Sequence, residues 1–105
     1  MNAQTENILR LPETATLETV PTMTDELRAA IANGPIVVDP RQVTELDFAA
    51  VQLLISAART AAEAGKSLSV TAPEGEMFAE FIHQNGLGSV VARDGEQLNF
   101  LIGEK

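Results

Sequence analysis

The stretch Leu46–Ser56, LDFAAVQLLIS, decides the fold, because it joins a helix-start signal to the most apolar helical segment of the chain. Asp47 suits a helix N-cap, where a short side-chain oxygen accepts from a free backbone N–H and a negative charge suits the helix dipole. Leu46 and Val51 stand at the two positions of a hydrophobic staple around such a cap. We therefore predict that a helix begins directly after Asp47.

The helix that follows has one narrow polar stripe and is apolar elsewhere. A helix with so wide an apolar surface is buried on most of its sides. We predict that residues 47–64 form a central helix, packed against a sheet and flanked by neighbouring helices. Its polar positions recur at i, i+4, i+7, i+8 and i+11, and they are Gln52, Ser56, Arg59, Thr60 and Glu63.

Helical segments and short β-branched runs alternate along the rest of the chain. Gly34, Gly65 and Gly86 each follow a helical segment, at the place where a left-handed residue ends a helix. Ile36–Val38 and Leu68–Val70 are short apolar runs, typical of buried strands. This alternation predicts an α/β domain.

The remaining elements are predicted from weaker patterns. We interpret Ile8–Leu11 and Ala15–Glu18 as a first β pair. Asp94-Gly95 separates Ser89–Ala92 from Gln97–Ile102 as in a hairpin, and we expect the last segment to be a strand added to the sheet edge. The buried stripes expected for the first and third helices are Met23, Leu27, Ala30 and Ile31, and Met77, Phe78, Phe81 and Ile82.

The length of 105 residues suits one domain. We predict a flexible N-terminal tail over residues 1–6 and a single α/β domain over residues 7–105. This domain has a mixed sheet of about four to six strands with helices packed mainly on one face.

The charge balance limits the possible partners. Seven basic and fifteen acidic residues give a formal net charge of -8. Such a surface repels phosphate backbones and anionic lipids, so we expect no nucleic-acid partner. No apolar run approaches the ~20 residues of a membrane helix, so we expect no membrane insertion. The N-terminal MNAQTENILR lacks the layout of a signal peptide, and there is no Cys. We expect a cytoplasmic protein.

Side chains suited to catalysis or to metal binding are few. His83 is the sole His and falls on the polar side of the third helix. Glu74, Glu76 and Glu80 lack the loop spacing of a calcium site, and no Gly-Lys-Ser/Thr of a phosphate-binding loop follows Gly75, Gly86, Gly88 or Gly95. We therefore predict no catalytic residues, no metal site and no cofactor.

An enzyme, or a protein that binds a small ligand or nucleotide, is the competing class of function. Such a site would use the groove near the start of the central helix. The polar groups available there are Asp39, Arg41 and Asp47. An enzyme normally needs a base and an oxyanion donor within reach of each other, and this short set disfavours such a site.

Phe48 is the unusual residue of the opening stretch, because a first helical turn is half-exposed and suits a small side chain. Its ring either folds back onto a neighbouring loop as part of the core, or forms an apolar knob that contacts a partner. Both interpretations stay open from the residues alone.

From Ile8 to about Gly88, the chain resembles a STAS domain, the fold of bacterial anti-sigma factor antagonists and of the cytoplasmic tails of sulfate transporters. The most specific part is Asp47–Leu54, with the Ala-rich helix and the strand of SLSVTAP after it. The resemblance implies a STAS-like α/β fold and a non-enzymatic, protein-binding role. The segments that carry it are ILRLP, PTMTDELRAAIANGPIVVD, VTELDFAAVQLLISAARTAAEAGKSLSVTAP and FAEFIHQNGLGSVV.

In the antagonists of that family, the Asp is followed by a Ser or Thr that a partner kinase, itself the anti-sigma factor, phosphorylates. The resemblance places this position at Phe48, which has no hydroxyl, and Ala49 and Ala50 replace the usual small polar pair. It therefore implies a docking surface without the usual phosphorylation switch. The residues of that surface are Leu46, Asp47, Phe48, Ala49, Gln52 and Ser56.

Three kinds of partner are implied by the resemblance: a kinase-like anti-sigma factor, a chemotaxis kinase, or a transporter ATPase. The corresponding roles are sigma-factor control, accessory function in chemotaxis or two-component signalling, and a subunit of a lipid-transport ATPase complex. The missing hydroxyl disfavours the first role and favours the other two.

Overall fold

The computed structural model describes residues 7–101, where β-branched runs form strands and Ala-rich segments form helices. Two short 3₁₀ turns, Leu17–Thr19 and Gly88–Val90, complete the secondary structure of this range. The elements are β1 (Asn7–Arg10), β2 (Thr14–Ala15), α1 (Val20–Ala32), β3 (Ile36–Asp39), β4 (Glu45–Leu46), α2 (Phe48–Glu63), β5 (Leu68–Thr71), α3 (Met77–Gln84), β6 (Val91–Asp94) and β7 (Gln97–Phe100).

The main sheet has five strands in the order β1-β3-β5-β7-β6. β1, β3 and β5 run parallel, whereas β7 is antiparallel to both β5 and β6. The sheet is therefore mixed, and its five strands lie within the predicted range. β2 and β4 form a separate, two-stranded parallel sheet.

All three helices pack on the same face of the main sheet. Ile36 and Leu68 are buried on that face, and the half-buried Asn7 side chain, opposite Ile36, donates to the Ala30 carbonyl of α1 at 2.8 Å. α2 packs against β5 and α1, and its predicted polar stripe is exposed. The α/β class, the mixed sheet and the placement of helices on one face are confirmed.

The predicted first β pair is wrong. β1 pairs in parallel with β3 instead of forming a hairpin, and strand structure in the second segment is limited to Thr14–Ala15. The following residues turn because Thr16 and Thr19 form a reciprocal capping box, in which the Thr19 hydroxyl accepts from the Thr16 N–H at 3.0 Å. This local alternative competes with an extended chain.

Two further details of the sequence interpretation need correction. In α3 the buried residues are Phe78, Ala79 and Ile82, whereas Met77 is exposed because it is the first residue of the helix. The last strand, β7, is not at the sheet edge, since it lies between β5 and β6, and β6 is the edge strand.

Two predictions fall partly or wholly outside the described residues. The tail predicted over residues 1–6 lies outside them, as does Ile102 at the end of the predicted last strand. Within residues 7–101, no helix combines the length and the apolar character that a membrane crossing requires.

Candidate functional site

Asp47 fixes the start of α2 with both of its carboxylate oxygens. Oδ1 accepts from the Ala50 N–H at 3.1 Å, so Asp47 is the predicted N-cap. Oδ2 accepts from the Leu17 N–H at 2.9 Å, and the Asp47 N–H donates to the Ala15 carbonyl at 3.2 Å. Asp47 therefore ties α2 to the turn after β2, a contact that no local sequence pattern indicates.

The segment before the cap is anchored in the same way. The Thr44 N–H donates to the Glu13 carbonyl at 2.7 Å, and β4 pairs with β2. Leu46 is half-buried against the core, and Val51 is fully buried. The backbone that carries Asp47 and Phe48 is thus held from two sides.

Phe48 is 45% exposed, so its side chain is not enclosed in the core and lies partly on the surface. Leu17, whose N–H is bound by Asp47, is 67% exposed. Two large apolar side chains therefore stand on the surface beside the same cap. Sequence reasoning missed Leu17, because the residue lies in an irregular turn without a periodic pattern.

The other predicted surface residues continue from Phe48 along α2. Phe48, Gln52 and Ser56 recur every fourth residue, a spacing that places them on one side of the helix. Gln52 and Ser56 are exposed, and Ala49 beside them is half-buried. Phe48, Gln52 and Ser56 therefore form one strip that extends about 12 Å from the cap.

A groove of about 580 Å³ lies between the turn after β2, β4 and the start of α3. Its apolar floor is made by Leu46 and Phe81, both half-buried, and by Met77, which is 42% exposed. Glu18 and Glu45 line its polar side. The sequence assigned Met77 to the core, so its place in the lining of this groove was not predicted.

A buried carboxylate lies at the end of β3, where the chain leaves the sheet toward β4. Asp39 is 7% exposed and binds Arg41 through the backbone N–H at 3.0 Å and through two guanidinium nitrogens at 3.0 and 3.1 Å. Arg10 of β1 is 3.7 Å from the same carboxylate. The Arg41 hydrogen bond lowers the pKa of Asp39 below its usual value, although burial acts in the opposite direction.

The family model described as "Mlab, STAS domain" matches residues 2–92, which is most of the chain. The chain belongs to the STAS domain family. A search of curated proteins and a search of solved structures each gave no match.

STAS domains generally mediate protein–protein interactions, and in this STAS domain the start of α2 presents exposed apolar side chains on a fixed backbone. Phe48, the first residue of α2, carries no hydroxyl. Ala49 and Ala50 on its C-terminal side also lack hydroxyls.

A second groove of this STAS domain lies between α3 and the β6–β7 hairpin, with His83 and Glu80 among its lining residues. Arg93 also lines it, but its guanidinium donates to the carbonyls of Ala72 and Gly95 at 3.0 and 3.2 Å. Its cationic group is therefore engaged in holding the hairpin. Among residues 7–101, no group of three or more acidic, His or Cys side chains is placed to hold a metal ion.

Proposed function

We propose that this STAS domain is a non-enzymatic protein-binding module that docks to a cytoplasmic partner through the start of α2, without phosphorylation control at position 48. The observation that carries the proposal is the exposed ring of Phe48, at the first helical position after a doubly bound cap.

The chemistry of this surface suits protein docking. Aromatic side chains dominate the energetics of interfaces, and they do so most when the backbone that carries them is already ordered before binding. Asp47 supplies that order, because its carboxylate holds both the first turn of α2 and the Leu17 turn. Burying the remaining exposed part of the ring would contribute about 1 kcal/mol.

The same surface does not suit a phosphorylation switch of the antagonist type. Phosphate would add about -1.5 to -2 charge beside Asp47, but Phe48, Ala49 and Ala50 offer no hydroxyl to accept it. We therefore place this protein with constitutive complex subunits or signalling accessory proteins, and not with phospho-switched sigma antagonists.

A non-enzymatic role is supported by the way the polar side chains near α2 are used. The Asp39 carboxylate is bound by Arg41, and the Asp47 carboxylate is bound by two backbone amides. Both acidic groups thus have structural partners, and neither is free to act as a base toward a substrate.

The proposal is tested by photo-crosslinking in the cells that express the protein. We expect p-benzoylphenylalanine at position 48 to form a specific adduct with one partner. The same probe at Ala92, exposed on β6, is the control and should form none.

Phe48→Asp should abolish the complex while the domain stays folded, because an acidic residue is tolerated in the first turn of a helix. Thr22→Asp adds the same charge to the exposed first turn of α1 and should leave the complex intact. Undiminished complex formation by Phe48→Asp would contradict the proposal.

A further inference from the structure

We propose that the partner contacts this STAS domain with a basic-apolar segment, in which a Lys or Arg lies within one helical turn of a Leu, Met or Phe. This inference rests on the proposed function and adds the chemistry of the partner. The groove between the turn after β2, β4 and α3 receives the apolar side chain, and its acidic side receives the cation.

The floor of the groove is apolar and partly rigid. Leu46 and Phe81 are half-buried and pack against the core, so they are held in place before any partner arrives. Met77 forms the exposed part of the floor, and its unbranched side chain adapts to different apolar shapes. The groove is therefore suited to one apolar side chain of a partner.

The side of the groove is acidic. Glu45 is fixed there, because the Thr14 hydroxyl donates to its Oε1 at 3.2 Å. Glu18 directly follows Leu17 in the turn after β2, and it is exposed. Of the described residues that line the groove, none is Lys, Arg or His. Arg41, on the loop toward β4, is already paired with Asp39.

The groove is continuous with the Phe48 surface. Thr16 and Glu18 line the groove, and Leu17 between them donates its N–H to Asp47. A segment that covers Phe48 and Leu17 therefore extends directly to the acidic side of the groove. An apolar surface bordered by carboxylates is complementary to an apolar segment with cationic side chains.

The net charge argues against the other occupants. A second copy of this chain would bring another -8 charge to an acidic surface, and anionic lipid would be repelled as well. A partner segment rich in Lys and Arg is attracted by both the local and the overall charge.

The test begins with a display library of short random peptides selected on the intact domain. We expect enrichment of peptides in which Lys or Arg lies within one turn of Leu, Met or Phe. The enriched peptide is then synthesised, and its dissociation constant is measured by fluorescence anisotropy.

Phe48→Ala should weaken that peptide's binding about fivefold or more, as expected from loss of the burial of the exposed part of the ring. Glu18→Gln and Glu45→Gln should each weaken it about two- to fivefold. Glu63→Gln removes the same charge from the exposed far end of α2 and is the matched control that should change nothing.

Two further measurements isolate the charge. When the peptide's Lys or Arg is replaced by Gln, Glu18→Gln and Glu45→Gln should lose their effect, as a double-mutant cycle requires. Binding of the original peptide should weaken between about 0.01 and 1 M salt, where the Debye length falls from about 30 to 3 Å.

The outcomes separate this inference from the proposed function. Peptides that require Phe48 but ignore Glu18, Glu45 and salt overturn the inference and leave the docking surface in place. Peptides that bind Phe48→Ala unchanged contradict the docking surface itself. A library without enriched peptides, or a Phe48-dependent dimer of this chain, overturns the basic-apolar segment as the occupant.

Discussion

Asp47 and Phe48 are adjacent, but one is bound within the domain and the other is presented on its surface. The Asp47 carboxylate is engaged by two backbone amides, from Ala50 and Leu17. The Phe48 ring points away from the core far enough to leave almost half of its surface exposed. Stability and binding at this site should therefore respond to different substitutions.

Phe48→Ala should lower the free energy of unfolding by only about 1 kcal/mol, because much of the ring is already in water. Leu54→Ala in the same helix is the control, since Leu54 is 1% exposed and its truncation should cost about 2–5 kcal/mol. Urea denaturation of both variants measures the difference. Equal losses would place Phe48 in the core.

Asp47→Ala should cost about 0.5–2 kcal/mol, the usual range for loss of an N-cap. Asp47→Asn should cost less, because its single side-chain oxygen still caps Ala50 while its amide nitrogen cannot accept from Leu17. Amide hydrogen exchange measured by NMR should therefore speed up at Leu17 but not at Ala50 in Asp47→Asn. Unchanged protection of Leu17 would contradict the bridging role of Asp47.

At the scale of the elements, local patterns predicted the helices and failed where distant segments meet. The cap at Asp47, the exposed stripe of α2 and the buried strands β3 and β5 follow from spacing and residue type, and the structure has all of them. The pairing of β2 with β4 depends instead on residues 31 positions apart in sequence. No periodic pattern records such a pairing.

The candidate site was predicted in part for the same reason. The cap at Asp47, and with it the position of Phe48 in the first turn, follow from the recognisable pattern of a helix start. Leu17 was missed because it lies in a turn without a periodic pattern. Met77 was assigned to the core because it fits the apolar stripe of α3, but it is the first residue of that helix and is exposed. Whether an apolar residue is exposed depends on where its helix begins relative to its neighbours, and that is a property of the tertiary structure.

The loop between β3 and β4 is anchored by charge and should make stability depend on pH. The pKa of Asp39 is lowered in the folded state, mainly by its hydrogen bond from Arg41. A carboxyl whose pKa is lowered by folding stabilises the folded state at pH values above its unfolded-state pKa, which is near 3.8 for Asp39. This stabilisation is lost as the pH falls through the lower pKa of the folded state.

Asp39→Asn removes that titration, so its stability should fall less than that of the wild type as the pH drops below about 4. Urea denaturation of both proteins at a series of pH values gives the free energy of unfolding as a function of pH. The contributions of the other carboxylates are the same in both proteins and cancel in the difference between the two curves. Arg41→Gln should flatten the curve in the same direction. Parallel curves for wild type and Asp39→Asn would show that the carboxylate does not titrate differently in the folded state.

At the scale of the whole molecule, the helices cover one face of the sheet and the acidic side chains are spread over the surface. The two ion pairs within residues 7–101 both involve Asp39, so the other acidic residues of this range have no cation of the same range within ion-pair distance. A net charge of -8 on a chain of this size produces self-repulsion in the compact state.

Salt should therefore stabilise this domain at low ionic strength. Raising the salt from about 0.01 to 0.1 M shortens the Debye length from about 30 to 10 Å, which screens repulsion between distant carboxylates more than the short Asp39–Arg41 contact, whose carboxylate is buried. A gain of up to about 1 kcal/mol corresponds to a rise in the unfolding temperature of about 4–8 °C. Thermal denaturation in NaCl and in KCl should give the same rise if screening is the cause.

A double variant, Glu26→Gln with Glu63→Gln, neutralises two exposed carboxylates and should melt higher at low salt and respond less to added salt. An unfolding temperature that falls with salt would mean that the attraction of Arg10 and Arg41 to Asp39 outweighs the repulsion among the remaining acidic groups.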